Sequence, residues 1–181
     1  MATIYTIGHS TRAWPEFLNV LSAHSIACLA DIRAFPASRR FPHFNREHMA
    51  VALPESDIEY RWMRELGGRR GKQLDNSPNI GLRNQAFRNY ADYMLSASFR
   101  QAISNLLQLA GQKRTAVMCA EKVFFQCHRM LVSDYLVLQG HEVLHIDDAR
   151  PARPHRVTPE AQLAGGQVIY SAGTLFKDGV A

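Results

Sequence analysis

A chain of 181 residues, 46% hydrophobic and 20% charged, has the balance of an ordinary soluble globular protein, which excludes disordered and fibrous classes. That length buries one sizeable core without disulfides or a structural metal. Three cysteines, Cys28, Cys119 and Cys127, are too few and too irregularly spaced for a secreted disulfide framework. No run reaches the length of a membrane span, and the start MATIYTIGHS lacks the pattern of a signal peptide, so a cytoplasmic protein with no membrane partner is expected. The net charge of +5 favours anionic partners, small molecules or nucleic acid.

In chain order, TIYTIG (3–8) reads as a strand ending at Gly8, and Trp14, Phe17, Leu18 and Leu21 follow at helical spacing with Pro15 in the first turn. IACLADI (26–32) is a continuous apolar run, the sign of a strand buried on both faces of a parallel sheet. NREHMAVAL (45–53) reads as a short helix capped by Asn45, and IEYRWM (58–63) as a third strand. Residues 67–84 have the glycine, proline and asparagine density of a long loop. Two helices are predicted near 85–95 and 98–110, then a strand RTAVMC (114–119), a helix from about Cys127 to Gln139 stopped by Gly140, and a fifth strand EVLHI (142–146). The Arg- and Pro-rich tail reads as extended, with QVIYSAGTLF (167–176) packing back on the body.

This alternation predicts an α/β fold: a three-layer α/β/α, Rossmann-like arrangement around a mainly parallel sheet of about five strands. Residues 1–147 form the expected single domain, and 148–181 an extension packed on it. In such sheets ligands bind beyond the carboxyl ends of the strands. The segments there are GHS, RAFPASRR, LGGRRGK, CAEKVFFQCHR and DDAR.

Four of these five segments carry arginine, and the planar fork of arginine binds phosphate or carboxylate bidentately. Arg33, Arg39 and Arg129 are therefore candidate ligands for an anion, with Arg69, Arg70 and Lys72 as a basic rim. Cys119 closes an apolar strand, and Cys127, His128 and Arg129 stand at the start of a helix, where a thiol becomes more acidic and more nucleophilic. Inert structural cysteines are the competing reading. Glu121, just past a buried strand, is expected either to pair with Arg33 or Arg129 or to act as a base or nucleophile. His9 and Ser10 offer hydrogen bonds to a ligand or a base and hydroxyl pair, although capping of the following helix is the role first expected of Ser10 or Thr11.

Three named chemistries are testable by spacing. A cysteine phosphatase loop places arginine six residues after its cysteine; here Ala34, Phe125 and Ser133 stand at those positions. A Walker loop needs Ser or Thr after Gly-Lys, but Gln73 follows Gly71 and Lys72, and no GxGxxG occurs. Zinc has Cys119, Cys127 and His128 available but no C-x-x-C pair and no fourth ligand, so no metal is assigned. Cys28 reads as core, and His24, His43, His48, His141 and His155 carry no chemical argument.

Taken together, TIGHS, DIRAFPASRR, LGG, YADYM, CAEKVFFQCHR and the downstream HI resemble the bacterial and archaeal family called domain of unknown function 488, over about residues 3–147. The resemblance implies a three-layer α/β domain and supplies no reaction and no cofactor. Its signature positions fall on Gly8, His9, Ser10, Asp31, Arg33, Pro36, Ser38, Arg39, Gly67, Gly68, Cys119, Glu121, Cys127, His128 and Arg129.

The function expected first is an enzyme holding a phosphate-bearing ligand, a nucleotide or nucleic acid, at the carboxyl edge. His9, Ser10, Arg33, Ser38, Arg39, Gly67, Gly68 and Arg129 would bind it, and Glu121, Cys119, Cys127 or His128 would do the chemistry. One alternative is a non-catalytic nucleic-acid-binding module, with basic residues spread over a broad face. The other is a cysteine-based redox or metal-sensing protein, which needs the two sulfurs of Cys119 and Cys127 close together.

Overall fold

The computed structural model describes residues 1–172. Of the expected packing segment 167–176, residues 173–176 lie outside the described residues. A six-stranded sheet runs in the order β3 (Glu59–Trp62), β2 (Cys28–Asp31), β4 (Thr115–Cys119), β1 (Thr3–Gly8), β5 (Glu142–Ile146), β6 (Arg153–Pro154). The first five are parallel and β6 is antiparallel to β5. The architecture is the three-layer α/β/α, Rossmann-like one, with one strand more than expected. That strand comes from the tail, whose two residues with Pro154 suit only an edge.

The central strands are those with the least polar sequence. Every residue of CLAD in β2 and TAVMC in β4 is buried, while edge strand β3 is half exposed. One face of the sheet packs α1 (Trp14–Ala23) and α2 (Arg46–Ala52) through Phe17, Leu21 and Met49 against Ile7, Leu29 and Met118. The other packs α3 (Gln85–Met94), α4 (Ala97–Gln112) and α5 (Arg129–Leu138) through Tyr90, Phe99 and Leu131 against Ile4, Ala30 and Val117. Asn84 caps α3 and Ser96 caps α4, and Gly140 follows α5 with φ +85°, a left-handed stop that glycine adopts freely. A hairpin of β7 (Ala161–Ala164) and β8 (Gln167–Tyr170) buries Val168 and Tyr170 in the same core as α3 and α5.

Two expected caps are made differently. Asn45 precedes α2 without capping it, because its side chain accepts from the Ser38 amide instead. Ser10 does not cap α1, which begins after Ala13; Ser10 takes φ 53° and donates its amide to the Ala120 carbonyl. Among the described residues, no helix is long and apolar enough to cross a membrane.

The topology fixes the place for a site. Strand β4 lies between β2 and β1, and the chain leaves β4 toward the α5 face while it leaves both neighbours toward the α1–α2 face. Loops that part in opposite directions open a crevice at the carboxyl end of β4.

Candidate active site

Backbone pairing continues past the strand ends and delivers the loops to this crevice. The His9 amide donates to the Cys119 carbonyl and the Ile32 amide to that of Met118, both at 2.9 Å. A cleft of about 460 Å³ opens there, walled by Arg33, Phe35, Gly68, Cys119, Glu121 and Cys127 among others. A second, of about 410 Å³, adjoins it and shares Arg33 and Glu121, with His9, Ser10 and Ser38 added.

The thiols lie in the wall of the first cleft. Cys119 ends β4, and Cys127 follows a single 3-10 turn, Phe124–Gln126, that bends the chain back over the strand end. Their Sγ atoms are 2.6 Å apart. The imidazole of His128, at the cap position of α5, places Nδ1 3.4 Å from Cys127 Sγ and Nε2 3.0 Å from the Ile32 carbonyl. That carbonyl can only accept, so Nε2 carries a hydrogen and Nδ1 is the ring nitrogen turned to the thiol. Gly68 makes room for this: a Cβ there would lie 2.7 Å from His128 Cγ and closer still to Nδ1.

Arg129 begins α5, is 1% exposed, and donates from Nε to Cys119 Sγ at 3.0 Å. Its other nitrogens donate to the Glu121 and Lys122 carbonyls and to Thr6 Oγ1. Gly8 lets this turn approach, since a Cβ on it would strike the Glu121 carbonyl. The Cys127 thiol is drawn well below the ordinary range, first by the hydrogen bond from Cys119 and then by His128 and Arg129. Cys119 is pushed well above it, by burial first and by the adjacent sulfur next. One proton leaves the pair readily, the second is held, and the guanidinium on Cys119 compensates the single charge the two sulfurs share.

The expected ion pair of Glu121 is not made. Its carboxylate is exposed at the rim of both clefts, with no cationic partner among the described residues, and Arg129 is bound by the backbone of Glu121. Arg33 pairs instead with Asp31. Its Nε and Nη2 donate to the two carboxylate oxygens at 2.8 and 2.6 Å, Nη2 also to the Phe44 carbonyl at 2.7 Å, and Nη1 reaches His9 Nε2 at 3.2 Å. His9 Nδ1 donates to the Ser10 carbonyl, so Nε2 accepts from Arg33 and the ring is neutral. Burial, with Arg33 beside it, lowers the His9 pKa to about 4.

The guanidinia of Arg33 and Arg129 are thus committed to the fold and are not a free anion clamp. Ser38 accepts from the Phe41 amide within its own loop, and Gly67 packs against Ala34. Arg39 is exposed, Arg70 lies over the Tyr93 ring, and Arg69 lines the thiol cleft beside Phe35. The sequence reading missed Asp31 as the partner of Arg33, although residues two apart in an extended segment share a face. It also gave no role to Thr6 and His145, although they stand in the motifs TIGHS and HI, and it missed Asp134 and His155, which carry no local signal; the four form a buried cluster behind Arg129. Among the described residues, no three His, Cys, Asp or Glu side chains are grouped to hold a metal ion.

Fold and site together define a three-layer α/β protein with a contacting thiol pair at the carboxyl edge of its sheet. The family model described as Domain of unknown function DUF488 matches residues 13–136, more than half of the chain, and the protein belongs to that family. Neither the curated proteins nor the solved structures contain a significant match.

Proposed function

We propose that this protein is a thiol-dependent enzyme acting on an anionic substrate, with Cys127 as nucleophile and Cys119 as its resolving partner. The observation that carries the reading is the contact set at the cleft wall: Cys127 Sγ lies 2.6 Å from Cys119 Sγ and 3.4 Å from a nitrogen of the His128 ring, which the Ile32 carbonyl orients. A nucleophile, a base and a group that orients the base are the parts that thiol catalysis requires. The reaction these parts suit is dithiol–disulfide exchange. The Cys127 thiolate attacks a substrate disulfide R–S–S–R′, the S–S bond breaks, and R′–S⁻ leaves and takes a proton. Cys119, its proton released, then attacks Cys127 Sγ; R–S⁻ leaves and is protonated, and a Cys119–Cys127 disulfide remains. Two electrons pass from the protein to the substrate.

The anionic character of the substrate is supported by Arg69 in the cleft and by exposed Lys122 on the adjoining one, with Glu121 the opposing charge at the rim. A phosphate-bearing ligand would meet these side chains rather than the buried Arg129, and would touch Arg33 only as the guanidinium already paired with Asp31.

Alkylation of the full chain, mapped by mass spectrometry across pH, tests this. Cys127 should be modified with a midpoint well below that of an ordinary free thiol, while Cys119 and Cys28 stay protected. A small disulfide should protect Cys127 by forming the Cys119–Cys127 bond, and Cys119→Ala should trap it as a mixed disulfide on Cys127. Iodoacetate should gain over neutral iodoacetamide in the wild type and lose that gain in Arg69→Ala. An ordinary midpoint for wild-type Cys127, or no Cys119–Cys127 disulfide after treatment of the wild type with the small disulfide, refutes the reading.

A further inference from the structure

Behind Arg129 lies a buried chain of hydrogen bonds that leaves the cleft entirely. Arg129 Nη1 is 3.4 Å from Thr6 Oγ1, Thr6 Oγ1 is 2.7 Å from His145 Nδ1, His145 Nε2 is 2.9 Å from His155 Nδ1, and His155 Nε2 is 2.8 Å from Asp134 Oδ1. Asp134 also accepts from the Thr158 amide and the Tyr170 hydroxyl. All five side chains are buried, and among the described residues no buried side-chain nitrogen or oxygen lacks a partner.

The two ends fix the direction of every bond between them. A guanidinium only donates and a carboxylate only accepts. Thr6 must therefore receive the Arg129 hydrogen, and its own hydroxyl hydrogen has one remaining partner, His145 Nδ1. With Nδ1 accepting, His145 donates from Nε2 to His155 Nδ1, and His155 donates from Nε2 to Asp134. Any reversal leaves the Thr6 hydrogen without an acceptor in a dry interior. Both imidazoles are then neutral; burial, with His155 and Arg129 next to it, takes the His145 pKa down to about 3. The His145 ring also carries Phe124, stacked at 3.7 Å and 9°, in the turn just before Cys127.

We propose that Thr6, His145 and His155 are positioning residues for the thiol pair: they present a lone pair to Arg129 Nη1 and so hold its Nε against Cys119. The proposal rests on the thiol reading above. Two of the three come from the segment after α5, and none of them falls within residues 13–136, which match the family model. Arg129 has no freedom to compensate a lost acceptor at Nη1, since the Glu121 and Lys122 carbonyls already take Nη2 and burial excludes water. Rotation of the guanidinium toward a new acceptor moves Nε off the sulfur, and the thiol becomes a weaker acid.

The measurement is the pH profile of Cys127 alkylation in the full chain. The other groups facing the pair, His128, Tyr90, Arg33, Arg69 and Glu121, are untouched by the substitutions chosen. Thr6→Val keeps the shape and removes the hydroxyl; the midpoint should rise by about one pH unit, a roughly tenfold slower reaction below it. Thr6→Ser, which keeps the hydroxyl, should stay within about twofold of wild type, as a purely packing role for Thr6 would not predict. His155→Leu, at the far end of the chain and in the peripheral segment, should raise the same midpoint and gives a second reading where Thr6→Val fails to fold. A folded Thr6→Val or His155→Leu protein with the wild-type midpoint overturns the positioning role alone. A wild-type midpoint in the ordinary thiol range overturns the thiol reading first.

Discussion

Replacing Arg33 by methionine separates a structural arginine from a ligand-binding one. The substitution keeps most of the aliphatic stem and removes two charge-assisted bonds to Asp31, which is 0% exposed, together with the donors to the Phe44 carbonyl and His9. Asp31 keeps only the Tyr60 hydroxyl, at 2.7 Å, and the amide of residue 33. Breaking a buried pair from one side costs about 3–5 kcal/mol, because the surviving charge is left without its partner. With a urea dependence of about 2 kcal/mol per molar for a domain of this size, the midpoint should fall by about 2 M. Asp31→Asn in the same background should restore part of the loss, giving a coupling energy of about 2 kcal/mol or more in the double-mutant cycle. Urea unfolding of the four proteins followed by circular dichroism measures it. A loss below about 1 kcal/mol, or losses that simply add, would refute the account of Arg33 as half of a buried pair and return it to the ligand.

Gly68→Ala should push the His128 ring away from Cys127 and slow alkylation near neutral pH by about tenfold, at a cost of about 1–3 kcal/mol from overpacking. Gly71→Ala, where an added Cβ meets nothing within 4 Å, should change neither, and equal effects at both positions would contradict the close approach. For His9, the folded pKa of about 4 lies below the unfolded value of 6.5, so the unfolded chain takes up its proton first as the pH falls. Its contribution is fully present above about pH 6.5 and is lost toward pH 4, at up to about 1.4 kcal/mol per pH unit and about 3 kcal/mol in all. The stability difference between wild type and His9→Gln should slope with that sign over that window; because His145 is also depressed, only the difference is diagnostic, and a flat one would mean that His9 is not held neutral.

What the sequence determined by itself was local or periodic. Continuous apolar runs marked the buried parallel strands, Gly140 marked the end of α5, and the post-strand segments marked the edge at which Cys119, Cys127 and His128 meet. The family was legible because its motifs occupy those same short stretches. Partner choice belonged to the tertiary structure alone. Glu121 and Arg129 are close in sequence, yet the turn after β4 offers the arginine a carbonyl and leaves the carboxylate in water. Arg33 looked free for an anion only because Asp31, on the same face of the chain, was not paired with it. The sixth strand and the His145–His155–Asp134 cluster depend on the tail returning across β5 and α5, and His155 carries no signal until Asp134 and His145 are brought against it. Hydrogen bonds in a dry interior are satisfied by whichever groups the packing brings together, and sequence separation does not encode which those are.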